Sequence, residues 1–189
     1  MPSILITTSR RTSNRVRSFT RDLWSVLSGS ERFNRGSMSV EELLSRILQS
    51  GARAALVISI WKGNPGEMTV LLPSGAELLR MKIDSALLRR ETNPIFKRKI
   101  DGIESICVKT GSSKKVMEIA RDLGNLFDTL VQECQSPTDI SSNSNRILIW
   151  LEDSPKGKIL WTHYSTYNSL ELGPRIKISS VRRLAGNES

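Results

Sequence analysis

The sequence predicts an α/β protein built from two duplicated halves. Three observations carry that prediction: β-branched apolar runs alternate with segments of helical period, a strand-turn-helix pattern near the start recurs at an offset of 100 residues, and a matching tetrapeptide closes each half. At 189 residues the chain has enough apolar content for its own core. One domain over 1–189 is expected, with halves at roughly 1–92 and 101–189.

Ile4 to Thr8 reads as a first strand, and Thr12 or Ser13 can cap a helix running to about Leu27. Val16, Phe19, Leu23, Val26 and Leu27 share one face at helical spacing, which leaves Arg15, Arg17 and Arg21 pointing elsewhere. Gly29 and 34–37 break the chain. Ser39 with Glu42 forms a capping-box signal for a second amphipathic helix that stops near Gly51. Ala54 to Trp61 is a buried strand, the Gly63-Asn64-Pro65-Gly66 stretch a turn, and Met68 to Leu72 the hairpin return. Leu78 to Leu88 supplies one or two further strands. A basic linker follows, with Arg89, Arg90, Lys97, Arg98 and Lys99 against the single acid Glu91.

Beyond the linker the organisation repeats. Ser105 to Thr110 resembles Ser3 to Thr8, and Arg121-Asp122-Leu123 aligns with Arg21-Asp22-Leu23. Ile147 to Leu151, the turn 153–157 and Ile159 to Tyr164 form a second hairpin, and Arg175-Ile176-Lys177-Ile178 matches Arg80-Met81-Lys82-Ile83. No counterpart of the Ser39 to Ser50 helix is evident; Glu133 to Arg146, with its Ser/Asn-rich centre, reads as a flexible surface loop.

A net charge of +9 favours a polyanionic partner. The N-terminus turns polar after Ile6, so neither a signal peptide nor a membrane span is expected there, and an intracellular protein follows. Cys107 and Cys134 stand far apart without a CxxC partner, which fits reduced thiols. His163, the single histidine, is expected on a partly exposed strand face and leaves little for a His-based metal site or triad.

Three basic clusters can support chemistry. Thr8, Ser9, Arg10, Arg11, Arg15 and Arg17 form a strand-to-helix turn where Arg forks and helix-end N–H groups can meet backbone phosphates, though a solvated helix face would look similar. Ser112, Ser113, Lys114 and Lys115 occupy the equivalent turn of the second half and lack the P-loop pattern. Gly173, Pro174, Arg175 and Lys177, with Arg182 after them, belong to the closing strand, whose alternation puts charge on one face; a charge-protected edge strand is the plainer reading. The two turns and this strand together are expected to frame one extended surface. Among the aromatics, Phe33, Phe96 and Tyr167 lie in polar stretches and are the candidates for exposed stacking rings. Asp22 and Asp122 are the tempting carboxylate pair, yet each follows an Arg on an amphipathic helix, where a surface charge is ordinary. No catalytic constellation and no cofactor motif is found.

The TTSR start, the NRGSMSVEELL segment, the GNPG turn and the late ELGPRIKI occur in that order over nearly the whole chain, and together they resemble the Brix domain family of ribosome-biogenesis proteins. The resemblance implies two pseudo-twofold-related α/β halves, each a mixed sheet with packed helices similar to the anticodon-binding domain of certain aminoacyl-tRNA synthetases. It also implies binding to precursor ribosomal RNA without catalysis, carried over here to Thr8, Ser9, Arg10, Gly173, Pro174 and Arg175. Ser74-Gly75-Ala76 departs from the Gly-Pro pattern that precedes the closing strand of the second half. Lacking long charged extensions, the chain resembles an archaeal member, expected in the cytoplasm (nucleolar in a eukaryotic source), with pre-ribosomal proteins as further partners. The alternatives are an adaptor whose basic surface meets an acidic protein, and an RNA-processing enzyme built on its scattered carboxylates.

Overall fold

Ser13 accepts the Val16 N–H at 3.1 Å through Oγ and opens helix α1, Asn14–Val26, directly after strand β1, Ile4–Thr8. Val16, Phe19, Leu23 and Val26 are buried along its inner stripe. The structure, a computed structural model, describes residues 1–94 and 100–184. After the two-residue strand β2, Glu31–Arg32, the Ser39–Glu42 capping box starts α2, Val40–Ser50, and Gly51 ends it in the left-handed conformation at φ 70°, which glycine adopts without penalty. Strands β3, Ala54–Trp61, and β4, Asn64–Leu71, form a hairpin whose turn lies earlier than the Asn-Pro dipeptide suggests. Trp61 pairs with Asn64, so Lys62 and Gly63, both at positive φ, make the two-residue turn, and Asn64-Pro65-Gly66 belongs to the strand beside a register shift at Ser59/Ile60.

Strand β5, Glu77–Leu87, leads into the one-turn helix α3, Arg89–Thr92; the basic residues 97–99 of the expected linker, and Phe96, lie outside the described residues. The second half then supplies β6, Gly102–Lys109, α4, Lys114–Phe127, β7, Val131–Cys134, β8, Arg146–Ser154, β9, Lys158–Ser165, and β10, Arg175–Arg183. The stretch read as a loop from Glu133 thus begins in a strand, and it contains only a 3-10 turn, Pro137–Asp139, before β8.

All ten strands join in one mixed sheet of order β2-β1-β3-β4-β5-β10-β9-β8-β6-β7, so the sheets expected of the two halves are continuous. The seam is the antiparallel β5–β10 pair, in which Ile83 faces Ile178 within the two repeated tetrapeptides. Outward from that seam each side reads the same way: an antiparallel hairpin, then a parallel strand preceding a helix, then a short parallel edge strand. Strand β10 is therefore flanked on both sides at residues 176–178, while Arg182 and Arg183 beyond them have β5 alone as a ladder neighbour, so the edge-strand reading fails for Lys177 and holds for that end. On one face α1 and α4 share a single apolar core with Ile6, Leu56, Met81, Ile149, Trp161 and Ile176 among its buried members. On the other face α2 covers Leu5 and Ala55 with Leu43 and Ile47.

Among the described residues the second half has no α-helix there. A smaller cluster of Cys107, Cys134, Leu148 and Trp150 takes that place, with Ile140 and Tyr164 packed on it. Within it Cys107 and Cys134 are disulfide-bonded, their Cα atoms 5.6 Å apart, which corrects the expectation of reduced thiols. Their separation in sequence hid this, because parallel β6–β7 pairing brings Cys134 opposite Lys109, one side-chain step from Cys107. His163 is also corrected. Its ring is fully buried, accepts the Trp161 indole N–H at 2.9 Å through Nε2 and lies 2.9 Å from the Pro174 carbonyl through Nδ1. No helix among the described residues is long and apolar enough to cross a membrane.

Candidate nucleic-acid interface

The β1–α1 turn is held by the sheet and leaves its arginines outside. Ser9 N–H donates to the Ile58 carbonyl at 2.8 Å, Ser9 Oγ to the Arg11 carbonyl at 2.6 Å, and Ser13 Oγ to the Gly63 carbonyl of the neighbouring hairpin at 2.7 Å. Thr8 is buried, whereas Arg10, Arg11 and Arg17 are exposed. Arg15 is engaged. Its guanidinium makes a bidentate pair with Glu91 at 2.7 and 3.0 Å and reaches the Ala86 carbonyl at 3.1 Å, and Glu91 is in turn held down to about 2, first by Arg15 and then by the Leu88 N–H. Arg15 thus ties α1 to α3.

Four arginines meet beside this turn. Arg10, Arg17, Arg32 and Arg35, with Thr8 and Thr12, line a cavity of about 410 Å³ that has no acidic side chain in its wall among the described residues. Arg32 ends β2 and Arg35 follows it in the stretch 34–37 that was read only as a chain break; the run Arg32-Phe33-Asn34-Arg35 was the available signal. Arg35 is only 8% exposed, and burial, with the like charge of Arg10 behind it, pushes its guanidinium below the usual value. Nearby, Trp24 is 45% exposed with the Arg32 guanidinium 6.0 Å from its ring, so Arg17, Arg21 and Trp24 make an outward stripe along α1 at helical spacing. Trp61, at the hairpin turn, is 67% exposed. Of the rings expected outside, Tyr167 is exposed, while Phe33 is partly buried with Arg46 stacked 4.0 Å from its centroid.

The second turn has a different environment. Its Ser113 caps α4, and the Asp153 carboxylate from the β8–β9 hairpin sits on it, accepting the Ser113 N–H at 2.5 Å and its hydroxyl at 2.9 Å. Ser112, Lys114 and Lys115 flank that contact, with Lys114 3.8 Å from Glu118. The helix end that could receive an anion already holds one.

The third cluster divides. Gly173 and Pro174 are buried, so the expectation that they touch RNA is corrected: a Cβ on Gly173 would lie 2.9 Å from Thr92 Oγ1 and 3.3 Å from Arg89 Cα, and the Pro174 carbonyl faces His163. They seat β10 against α3. Arg175 is exposed but bidentate with Glu171, Arg182 is paired with Glu77 at 2.6 Å, and Lys177 is partly buried.

Strand directions decide which clusters meet. Following the pairings across the sheet, β1 and β6 run antiparallel, so the two basic turns leave the sheet in opposite directions, whereas β10 begins at the end where β1 finishes. The first turn and the start of β10 share an end and flank α3; the second turn does not join them. The single surface expected from all three is therefore not formed. Of the tempting carboxylates, Asp22 accepts the Arg89 N–H at 2.9 Å and Asp122 pairs with Arg183 at 2.7 and 3.0 Å, so both tie helices to the fold. No group of three metal-ligating side chains occurs among the described residues.

One large mixed sheet with packed helices defines the class, and solved structures share that fold. No family model matches the chain. It is 43% identical over 68 residues to a "Probable Brix domain-containing ribosomal biogenesis protein" of Pyrococcus horikoshii, covering 36% of this chain and 30% of that one. A protein of the same name from Aeropyrum pernix is 43% identical over 72 residues, covering 38% of this chain and 40% of the relative. These matches span well under half the length of the relatives. The crystal structure of a "probable ribosomal biogenesis protein" from Aeropyrum pernix superposes with a TM-score of 0.74 at 26% identity, covering 94% of this chain and 96% of that one. The resemblance to the Brix domain family holds in sequence and in fold.

Proposed function

We propose that this chain is a ribosome-biogenesis factor that binds precursor ribosomal RNA through its phosphates, without catalysis, and that its two halves act as one unit. The meeting of Arg10, Arg17, Arg32 and Arg35 around a cavity that no carboxylate lines among the described residues carries this reading, since guanidinium forks match phosphate oxygens. The names of the relatives, the net charge of +9 and the exposed Trp24 beside Arg32 support it. Contacts centre on Ser9, Arg10, Arg11 and Arg17 and extend toward the start of β10, with Lys114 and Lys115 as a separate, weaker patch.

Filter binding of a structured rRNA fragment across a salt series tests this. Affinity should fall steeply with salt, and binding indifferent to salt would sink the reading. The adaptor reading rests on Trp61, an exposed ring at a hairpin turn. Partners that survive RNase in a pull-down and are lost with Trp61→Ala would favour it.

A further inference from the structure

The arginine cavity beside the β1–α1 turn has features that a passing phosphodiester backbone does not require. Three segments wall it: the turn itself, the first turns of α1, and residues 32–36. Two polar atoms buried at this place, Thr12 Oγ1 and Arg32 Nε, have no hydrogen-bond partner among the described residues. Arg35, more than nine-tenths buried, commits its Nε–H to the Met38 carbonyl at 2.8 Å, and no other hydrogen bond or ion pair engages its guanidinium among the described residues. Buried polar groups are nearly always satisfied, so unspent donors converging on one cavity mark the outline of a missing acceptor.

Charge narrows what that acceptor is. Glu31 and Glu41, acids close to these segments, do not line the cavity. Glu31 pairs with Arg46 at 3.2 Å, and Glu41 stands fully exposed on the first turn of α2, held below the ordinary carboxylate value by its own backbone N–H, then by Ser39 and last by Arg10. Four guanidinium charges, one of them desolvated, remain against a single charge for each internal phosphodiester. A terminal phosphate monoester carries about −1.5 to −2 at neutral pH and three exposed oxygens, a better match to several Arg forks and a threonine hydroxyl. A volume of about 410 Å³ also falls within the range of pockets that enclose a small molecule, enough for a phosphate and the sugar that bears it.

We infer that this cavity receives the terminal phosphate monoester of an RNA chain, held by Arg10, Arg17, Arg32 and Arg35 with the Thr12 hydroxyl. The inference rests on the RNA-binding reading above and adds that the site distinguishes a phosphorylated chain end from continuous backbone. Cleavage of a longer RNA that leaves phosphate on one product end is the class of reaction that would supply such a ligand.

The test uses the full chain and one short single-stranded RNA made in three forms, with a 5′-phosphate, with a 3′-phosphate, and with hydroxyls at both ends. Each is titrated by fluorescence anisotropy at constant salt, at pH 7.5 and at pH 5.5. One phosphorylated form should bind at least about tenfold more tightly than the hydroxyl form at pH 7.5, and which form does so identifies the end. That advantage should shrink at pH 5.5, where the monoester loses its second charge while diesters and guanidinium groups keep theirs. Arg17→Ala and Arg32→Ala, chosen because neither residue is deeply buried, should abolish the advantage while weakening the hydroxyl form less. Equal binding of all three RNAs at pH 7.5 would overturn the inference and leave the RNA-binding reading standing. Failure of all three short RNAs to bind would also overturn the inference, while the salt titration of the structured rRNA fragment decides the RNA-binding reading separately.

Discussion

The two strand-to-helix turns start from similar sequence and end in opposite electrostatic states. In the first, Ser13 is engaged by a backbone carbonyl of the β3–β4 hairpin, and four arginines line a cavity with no acid in its wall among the described residues. In the second, the corresponding hairpin delivers Asp153 onto Ser113, and Glu152 lies 3.8 Å from Lys109. One turn is left open to an anion and the other carries its own. The sheet faces behind them differ in the same sense: the first is covered by a helix, the second by a disulfide, Trp150 and an irregular segment. Duplicated architecture thus need not mean duplicated function, because the side chain at one hairpin turn decides whether a helix end is available.

The largest expected effect breaks this comparison on the binding side. Arg10→Ala, Arg17→Ala and Arg32→Ala combined should lower RNA affinity by about 3 to 6 kcal/mol, whereas Lys114→Ala with Lys115→Ala should cost under about 1.4 kcal/mol, or tenfold. Parallel titrations at one salt concentration measure both. Equal losses would restore the two turns to equivalence.

The next effect concerns what holds the second half's outer face, which carries no α-helix among the described residues. A cross-link over a sequence separation of 27 should contribute about 3 to 4 kcal/mol in the chain-entropy account. Cys107→Ala with Cys134→Ala should lose about that much in urea unfolding, comparable to the about 2 to 5 kcal/mol expected for Ile47→Ala under α2. A disulfide variant as stable as the parent would mean that Trp150 and its neighbours hold that face alone.

What could be read in advance follows from how local each cause is. The Ser39–Glu42 box and Gly51 mark α2 because a helix end is decided within a few residues. The helix at Lys114 and both hairpins follow for the same reason. Pairings made at a distance were hidden: the β5–β10 seam that merges the halves, the parallel register that joins Cys107 to Cys134, and the hairpin that brings Asp153 to Ser113. The site divides likewise. Arg10 and Arg17 were visible, while Arg32 lies in a two-residue strand too short to show a period and Arg35 just after it, and Trp24 emerges only when α1 is read outward from Arg17 and Arg21. Arg15 misled because its partner Glu91 is 76 residues away.

His163 sets a pH boundary on the second half. Burial pushes its imidazolium down to about 4, against the Pro174 carbonyl, which favours the charge. The folded value lies below the unfolded one near 6.5, so the unfolded chain takes up a proton first, and stability falls as pH drops from about 6.5 to about 4. The full shift corresponds to about 3 kcal/mol. Urea midpoints of the parent and of His163→Gln should diverge at high pH and converge toward pH 4; curves that stay parallel would show that His163 does not titrate on unfolding.

The smallest effect sharpens the comparison most, because it asks whether one carboxylate separates the two turns. Asp153→Ala removes the acceptor from the Ser113 N–H and hydroxyl, two contacts at an exposed helix end. Loss of such a cap costs about 1 kcal/mol of stability. The same change leaves the α4 N-terminus, Ser112, Lys114 and Lys115 facing solvent with an uncompensated positive dipole end, and charges there are worth about 0.3 to 1 kcal/mol. RNA affinity should therefore rise by roughly two- to fivefold at low salt and return to the parent value as salt screens the gain. Asp153→Asn, which keeps a hydrogen-bonding oxygen but no charge, should recover most of the stability and retain most of the affinity gain. If neither variant changes RNA binding, the opposite direction in which β6 leaves the sheet, and not Asp153, is what keeps the second turn away from RNA.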